Sequence, residues 1–209
     1  MKLLAIITTL LTCAVSTVSV AADGVEAAEW GYKYNDFSMA SPDQWSEHYP
    51  TIQHAAISST RSSEHTLNGE HLDGEVHFVH SNTDGSALLV VGVFLKAVDG
   101  GETDPWVASV LDALDTVSMN STVGMSTTSY ADVINAAADA QGVFNYAGSL
   151  TTPACSEIVD WWVVKQPVKL STTDLKRLQS QLKELPITDD GKNARPVHPL
   201  NGRVVTAYA

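Results

Sequence analysis

The chain has 209 residues, is 44% hydrophobic and carries 24 acidic against 12 basic side chains, a formal charge of −12. That length suits one domain with a substantial core. The acidic balance disfavours a polyanion-binding surface, so neither nucleic acid nor an anionic membrane is an expected partner.

Residues 1–22 read as a secretory signal peptide: Lys2, then an apolar run, then small residues at Ser19, Ala21 and Ala22. The run is short for a transmembrane span, so no membrane span is expected, and residues 23–209 are read as a secreted domain. Of the two cysteines, Cys13 leaves with the peptide. Cys155 is then an odd cysteine in an oxidising compartment, which opens three possibilities: an intermolecular disulfide, a free thiol or a lost partner. Asn120, in Asn-Ser-Thr, is a glycosylation acceptor and predicts a glycoprotein.

Residues 23–50 are aromatic and turn-rich, an irregular segment pinned by Trp30, Tyr32 and Trp45. Residues 75–82 alternate as a strand. Residues 87–98 are almost wholly apolar and fit a strand buried on both faces inside a large sheet. Asp104 followed by Pro105 opens a helix, with Trp106, Val110, Leu114 and Val117 along one side. Residues 157–170 are strand-like until Pro167 interrupts them. A second helix starts from a capping-box-like pattern at Ser171 and Asp174, with Leu175, Leu178, Leu182 and Leu185 facing inward. The segment RVVTAY closes the chain as a strand.

Six of the seven histidines, at 48, 54, 65, 71, 77 and 80, fall within 33 residues. Side chains alternate along a strand, so Glu75, His77 and Val79 share one face while Val76, Phe78 and His80 share the other. His77 and His80 therefore cannot reach one ion together, and His77 alone has an acidic neighbour on its own face. This stretch by itself leaves two readings of His77 open, a metal ligand and a hydrogen-bonded core residue.

Four segments occur in a fixed order: SEHTLNGEHLDGEVHFVHSN from residue 63, LLVVGVFLK from 88, YAGSLTTPACSEIVDWWVVKQPVKLS from 146, and NARPVHPLNGRVV from 193. With WGY at 30–32, the set resembles the alpha-type carbonic anhydrases over roughly residues 30–50 and 63–209. The resemblance implies a mostly β fold with peripheral α, a single domain around a large central mixed sheet. It implies a lyase that hydrates carbon dioxide reversibly to bicarbonate and a proton. Zinc would be the cofactor, held by three neutral histidines with the fourth position left to water. By that resemblance His77 is the third zinc ligand and Glu75 orients its imidazole. Thr151 takes the hydrogen bond of the attacking hydroxide and passes its own proton to Glu64. Thr152 lines the polar side of the substrate site, Val79, Val90, Leu150 and Trp161 line the apolar side, and His65 is structural.

The match breaks between HYP at 48–50 and SEHT at 63–66, where the family carries a long stretch that includes strands of the sheet and a His-x-His pair. No His-x-His occurs anywhere in this sequence. Counting back without a gap from SEHT places Ile52 and His54 where the pair would stand, so His54 is the candidate survivor among the missing metal ligands. In many secreted members of the family the cysteine matching Cys155 pairs with one in that same stretch, so one missing block accounts for three departures. The strands at 75–82 and 87–98 are then expected to have lost sheet neighbours. Two rivals to the enzyme follow. One is a catalytically inactive, carbonic-anhydrase-related secreted binding or matrix protein. The other is an acidic, calcium-interacting matrix component, for which no calcium-loop spacing is present.

Overall fold

A computed structural model of the chain describes residues 32–34, 38, 41, 44, 63–116, 130–186 and 188–209. In chain order the elements are β1 (Thr66–Leu67), β2 (Glu70–His71), β3 (Gly74–Ser81), β4 (Leu88–Val98), α1 (Pro105–Leu114), α2 (Tyr130–Gln141), β5 (Val143–Gly148), β6 (Val159–Ser171), α3 (Thr172–Lys183) and β7 (Thr206–Tyr208). β1 and β2 form a small hairpin, and the other strands form one sheet in the order β3-β4-β6-β5-β7. The β4–β6 pair is parallel and the remaining pairs are antiparallel, so the sheet is mixed.

β4 lies inside the sheet, and its sequence follows from that place. Val93 and Leu95 face a core built with Trp106, Val107 and Leu111 of α1, Ala137 of α2, and Val164, Val168 and Leu170 of β6. Val90 and Phe94 face the opposite side, against Tyr146, Val159, Trp161 and Val163. An apolar run in both registers is what a strand covered on both faces requires. β3 shows the expected alternation as well, with Val76 and Phe78 against the helical side. The predicted loss of sheet neighbours does not hold for the strand at 87–98. β4 is paired along both edges, whereas β3 pairs with β4 alone among the described residues.

Helix starts follow local chemistry. The Asp104 carboxylate accepts from the Trp106 N–H at 2.9 Å, with Pro105 in the first turn of α1. The Ser171 hydroxyl caps α3 by accepting from the Asp174 N–H at 3.0 Å. Three expectations need correction. β6 does not stop at Pro167 but runs through it to Ser171. The register against β4 jumps from Val93–Val164 to Leu95–Val168, so the proline falls in an irregularity where no ladder N–H is required. Helix α2 was not anticipated. β7 is confined to Thr206–Tyr208, not the whole of RVVTAY. Val117 lies outside the described residues, as do Trp30 and Trp45, while Tyr32 is buried as expected.

Candidate functional site

The face of the sheet away from the helices carries a buried polar network on an apolar floor. Alternation on β3 sends Glu75 and His77 to this face, and register places Gly92 of β4 directly across from His77. Gly92 makes room for the carboxylate: a Cβ at that position would lie 2.7 Å from Glu75 Oε1. The hairpin before β3 folds back so that the His65 ring reaches the same carboxylate.

Glu75 is the hub. Its Oε2 accepts from the His65 backbone N–H at 2.7 Å. Its Oε1 meets His65 Nδ1 at 2.5 Å and His77 Nε2 at 3.0 Å. An ionised carboxylate only accepts, so both imidazole atoms must carry hydrogen. His65 Nε2 is then the acceptor for the Tyr146 hydroxyl at 2.7 Å, and both nitrogens of His65 are engaged. His77 keeps one nitrogen, Nδ1, without a hydrogen bond, and Glu64 Oε2 stands 3.8 Å from it. Glu64 itself accepts from the Arg195 N–H at 3.0 Å, and the Thr151 side chain favours its charged form.

Burial sets the electrostatics. The Glu75 side chain is 2% exposed and that of Glu64 is 9% exposed. Burial works to raise Glu75, but the two facing imidazoles hold it well below the usual carboxylate range. Burial would depress His77, and the charge and hydrogen bond of Glu75, with Glu64 behind, hold it above its ordinary value instead. Glu64 has fewer partners, so burial keeps it above the usual range. Burial, with the Glu75 charge close by, also raises the Tyr146 phenol, which therefore stays a donor.

The other residues singled out in the sequence fall around this network. Val90 and Trp161 are buried in the floor, with Leu150 packed against it. The Trp161 ring stands edge-on to His77, centroids 4.8 Å apart, and its Nε1–H bonds the Ser149 carbonyl at 3.0 Å. Thr151 and Thr152 are half-buried on the loop that follows β5. Val79 lies at the margin of the sheet and is 57% exposed. His54 and Asn120 lie outside the described residues. Three participants escaped the sequence reading: Gly92, Tyr146 and Arg195. The glycine inside an otherwise apolar strand was the available signal for the first.

Cys155 is a free thiol, fully buried, with Arg195 Nη1 at 3.5 Å from its sulfur. Of the three possibilities opened above, an intermolecular disulfide would require this buried sulfur to become exposed. Burial pushes the thiol up to about 11 from an ordinary 9.0. Since the thiolate is the nucleophile, alkylation by iodoacetamide at pH 8 is expected to run roughly a hundredfold slower in the folded protein than in urea. The neutral thiol favours the fold below pH 9, and that contribution fades as pH rises through the folded value. Equal alkylation rates in buffer and urea would contradict the burial.

The family model for eukaryotic-type carbonic anhydrase matches residues 36–209. The chain belongs to the alpha-type carbonic anhydrase family. It is 34% identical to carbonic anhydrase 7 of Mus musculus, over 69% of this chain and 58% of that protein. It is also 34% identical to carbonic anhydrase 3 of Equus caballus, over 74% of this chain and 62% of that one. The chain thus spans less than two thirds of the length of these relatives. Among solved structures, the alpha-carbonic anhydrase of Thermovibrio ammonificans in complex with sulfanilamide shares the fold, with a TM-score of 0.65 at 23% identity over 86% of this chain and 99% of that one. Dioscorin complexed with ascorbate superposes with a TM-score of 0.55 at 27% identity, over 71% of this chain and 60% of that one.

Carbonic anhydrases of this family use zinc, and the donor set tests whether these residues fit it. His65, Glu75 and His77 bring ligand-type atoms within 4.8 Å of one another. Their lone pairs are mostly spent: both nitrogens of His65 and both oxygens of Glu75 serve the internal network. Within this cluster one imidazole nitrogen, His77 Nδ1, carries no hydrogen bond, where a family-type site needs three. The described residues of one chain do not complete the site.

Proposed function

We propose that the residues of this chain are arranged for the family reaction, the zinc-dependent reversible hydration of carbon dioxide to bicarbonate and a proton. The observation that carries this reading is Glu64, buried behind His77 Nδ1, with the Thr151 side chain among the groups that favour its charged form. A hydroxyl that donates to a carboxylate turns its own lone pair outward, as an acceptor that can fix the direction of an attacking hydroxide. The Arg195 N–H holds the other side of that carboxylate in place. Val90, Leu150 and Trp161 supply an apolar wall suited to an uncharged substrate, with Val79 at its margin and Thr152 beside Thr151 on the polar side. Glu75 fixes the tautomer of His77, leaving Nδ1 as the ligand atom.

The incomplete donor set favours a second reading, a secreted carbonic-anhydrase-like binding protein that turns nothing over. Metal analysis of the dialysed full chain, with carbon dioxide hydration followed by stopped-flow acidification, separates the two. The enzyme reading expects bound zinc, a rate above the uncatalysed one that disappears on chelation, and a loss of about 10²-fold in Thr151→Ala. A folded protein without zinc or rate enhancement supports the binding protein.

A further inference from the structure

We propose that the cleft at the C-terminal end of β5 binds a small carboxylate that carries a hydrogen-bond donor on its α-carbon, with Arg203 taking the carboxylate and Glu157 the donor. The inference goes beyond the hydration reading and does not depend on it.

The cleft follows from the sheet. β5 runs from Val143 to Gly148, but β7 pairs with it only from Val143 to Asn145. Past Asn145 that edge of β5 has no strand partner among the described residues. The chain leading into β7 turns instead, closed by the Arg203 N–H donating to the Leu200 carbonyl at 2.9 Å. Ala147, Gly148, Glu157, Asn201 and Arg203 border a space of about 310 Å³. Small-molecule sites begin at about 300 Å³, so this cleft has room for a ligand of a few heavy atoms.

Charge then selects the ligand. Arg203 Nε donates to the Leu200 carbonyl and Nη2 to the Pro199 carbonyl, each at 2.9 Å. Those bonds fix the plane of the guanidinium, and the Tyr146 ring backs it with its centroid 5.9 Å away. The remaining arm, Nη1, is buried and has no hydrogen-bond partner. A buried donor without an acceptor is costly and uncommon, and a carboxylate oxygen is the acceptor that suits a guanidinium. Glu157 borders the same cleft, is exposed, and forms no salt bridge with Arg203. An ionised carboxylate only accepts, so Glu157 favours a ligand that brings a donor and opposes a second negative charge. A bare carboxylate answers Arg203 and leaves Glu157 repelling it. A hydroxyl or an ammonium on the neighbouring carbon answers both groups at once. The formal charge of −12 works in the same direction, against multiply charged anions.

The test titrates the purified full chain with propionate, lactate and alanine, three molecules of similar size that differ at the α-carbon. Heat and backbone amide chemical shifts are followed together. Lactate, alanine or both are expected to bind about tenfold or more tighter than propionate, the scale of one charge-assisted hydrogen bond. Which of the two is preferred separates a hydroxy acid from an amino acid. The amides of Ala147 and Gly148 should move on binding. Glu157→Ala, at an exposed position, is expected to fold as the wild type does and to bring the tighter ligand down to the affinity of propionate. Arg203→Gln is expected to abolish binding of all three. Because Arg203 also holds the turn at 199–203, the wild-type series and Glu157→Ala decide the matter should that variant unfold. The proposal is overturned by absence of saturable binding, by equal affinity for all three molecules, by an affinity that Glu157→Ala leaves unchanged, or by shifts that spare Ala147 and Gly148. A chain that hydrates no carbon dioxide leaves each of these outcomes as it stands.

Discussion

Glu75→Ala is expected to destabilise the protein by about 3–5 kcal/mol, the scale for removing one partner from a buried ionic cluster. Three donors converge on this carboxylate, the His65 N–H, His65 Nδ1–H and His77 Nε2–H. Alanine leaves all three with nothing to bond on a face floored by Trp161 and Phe94. Glu75→Gln retains the shape and one carbonyl, but its NH₂ must face a donor, a cost of about 1–3 kcal/mol. Urea titration of the three proteins should therefore rank wild type above the glutamine variant and that above alanine. For a chain of this size each kcal/mol corresponds to about 2–4 °C in melting temperature. A glutamine variant within about 0.5 kcal/mol of wild type, the range of ordinary surface substitutions, would mean that the carboxylate charge does not organise the site.

Sequence reasoning placed this carboxylate well because the strand period is short and strict. Once β3 was recognised, alternation assigned Glu75, His77 and Val79 to one face and Val76 and Phe78 to the other, as the packing against Trp161 and the helices shows. The apolar run at 87–98 was legible for the same reason, since a strand with cores on both faces needs apolar residues in both registers. Asp104 and Ser171 were legible because a capping side chain acts on backbone two or three residues away.

The features that escaped depend on chain segments far apart in sequence. Tyr146 meets His65 across 81 positions, and Arg195 reaches Glu64 across 131. No local pattern announces either contact. Pro167 was misread because proline usually ends a central strand, and the register jump that accommodates it exists only in the pairing with β4. Helix α2 eluded the periodic test because YADVINAAADAQ buries one residue, Ala137, and an alanine-rich face has little contrast. Val79, expected on the apolar side of the substrate site, stands on the edge strand β3 and is 57% exposed.

Gly92→Ala is expected to disturb the site from beneath, and its sign separates two physical effects. In a strand, backbone freedom alone favours alanine over glycine by about 0.5–1 kcal/mol. Against that, the new Cβ would sit 2.7 Å from Glu75 Oε1, while His65 Nδ1 and the Trp161 ring at 3.7 Å are ordinary contacts. The carboxylate cannot swing aside without surrendering bonds to His65 and His77. The net result is a destabilisation of about 1–3 kcal/mol, the usual scale for overpacking. The diagnostic is the double variant with Glu75→Ala. Once the carboxylate is gone the obstacle is gone, so the added methyl group should become neutral or mildly stabilising, and the two costs should fall short of their sum. Costs that add independently would locate the effect of Gly92→Ala in the backbone of β4. A shortfall would show that glycine stands across from His77 because the carboxylate that orients that imidazole occupies the space a side chain would need.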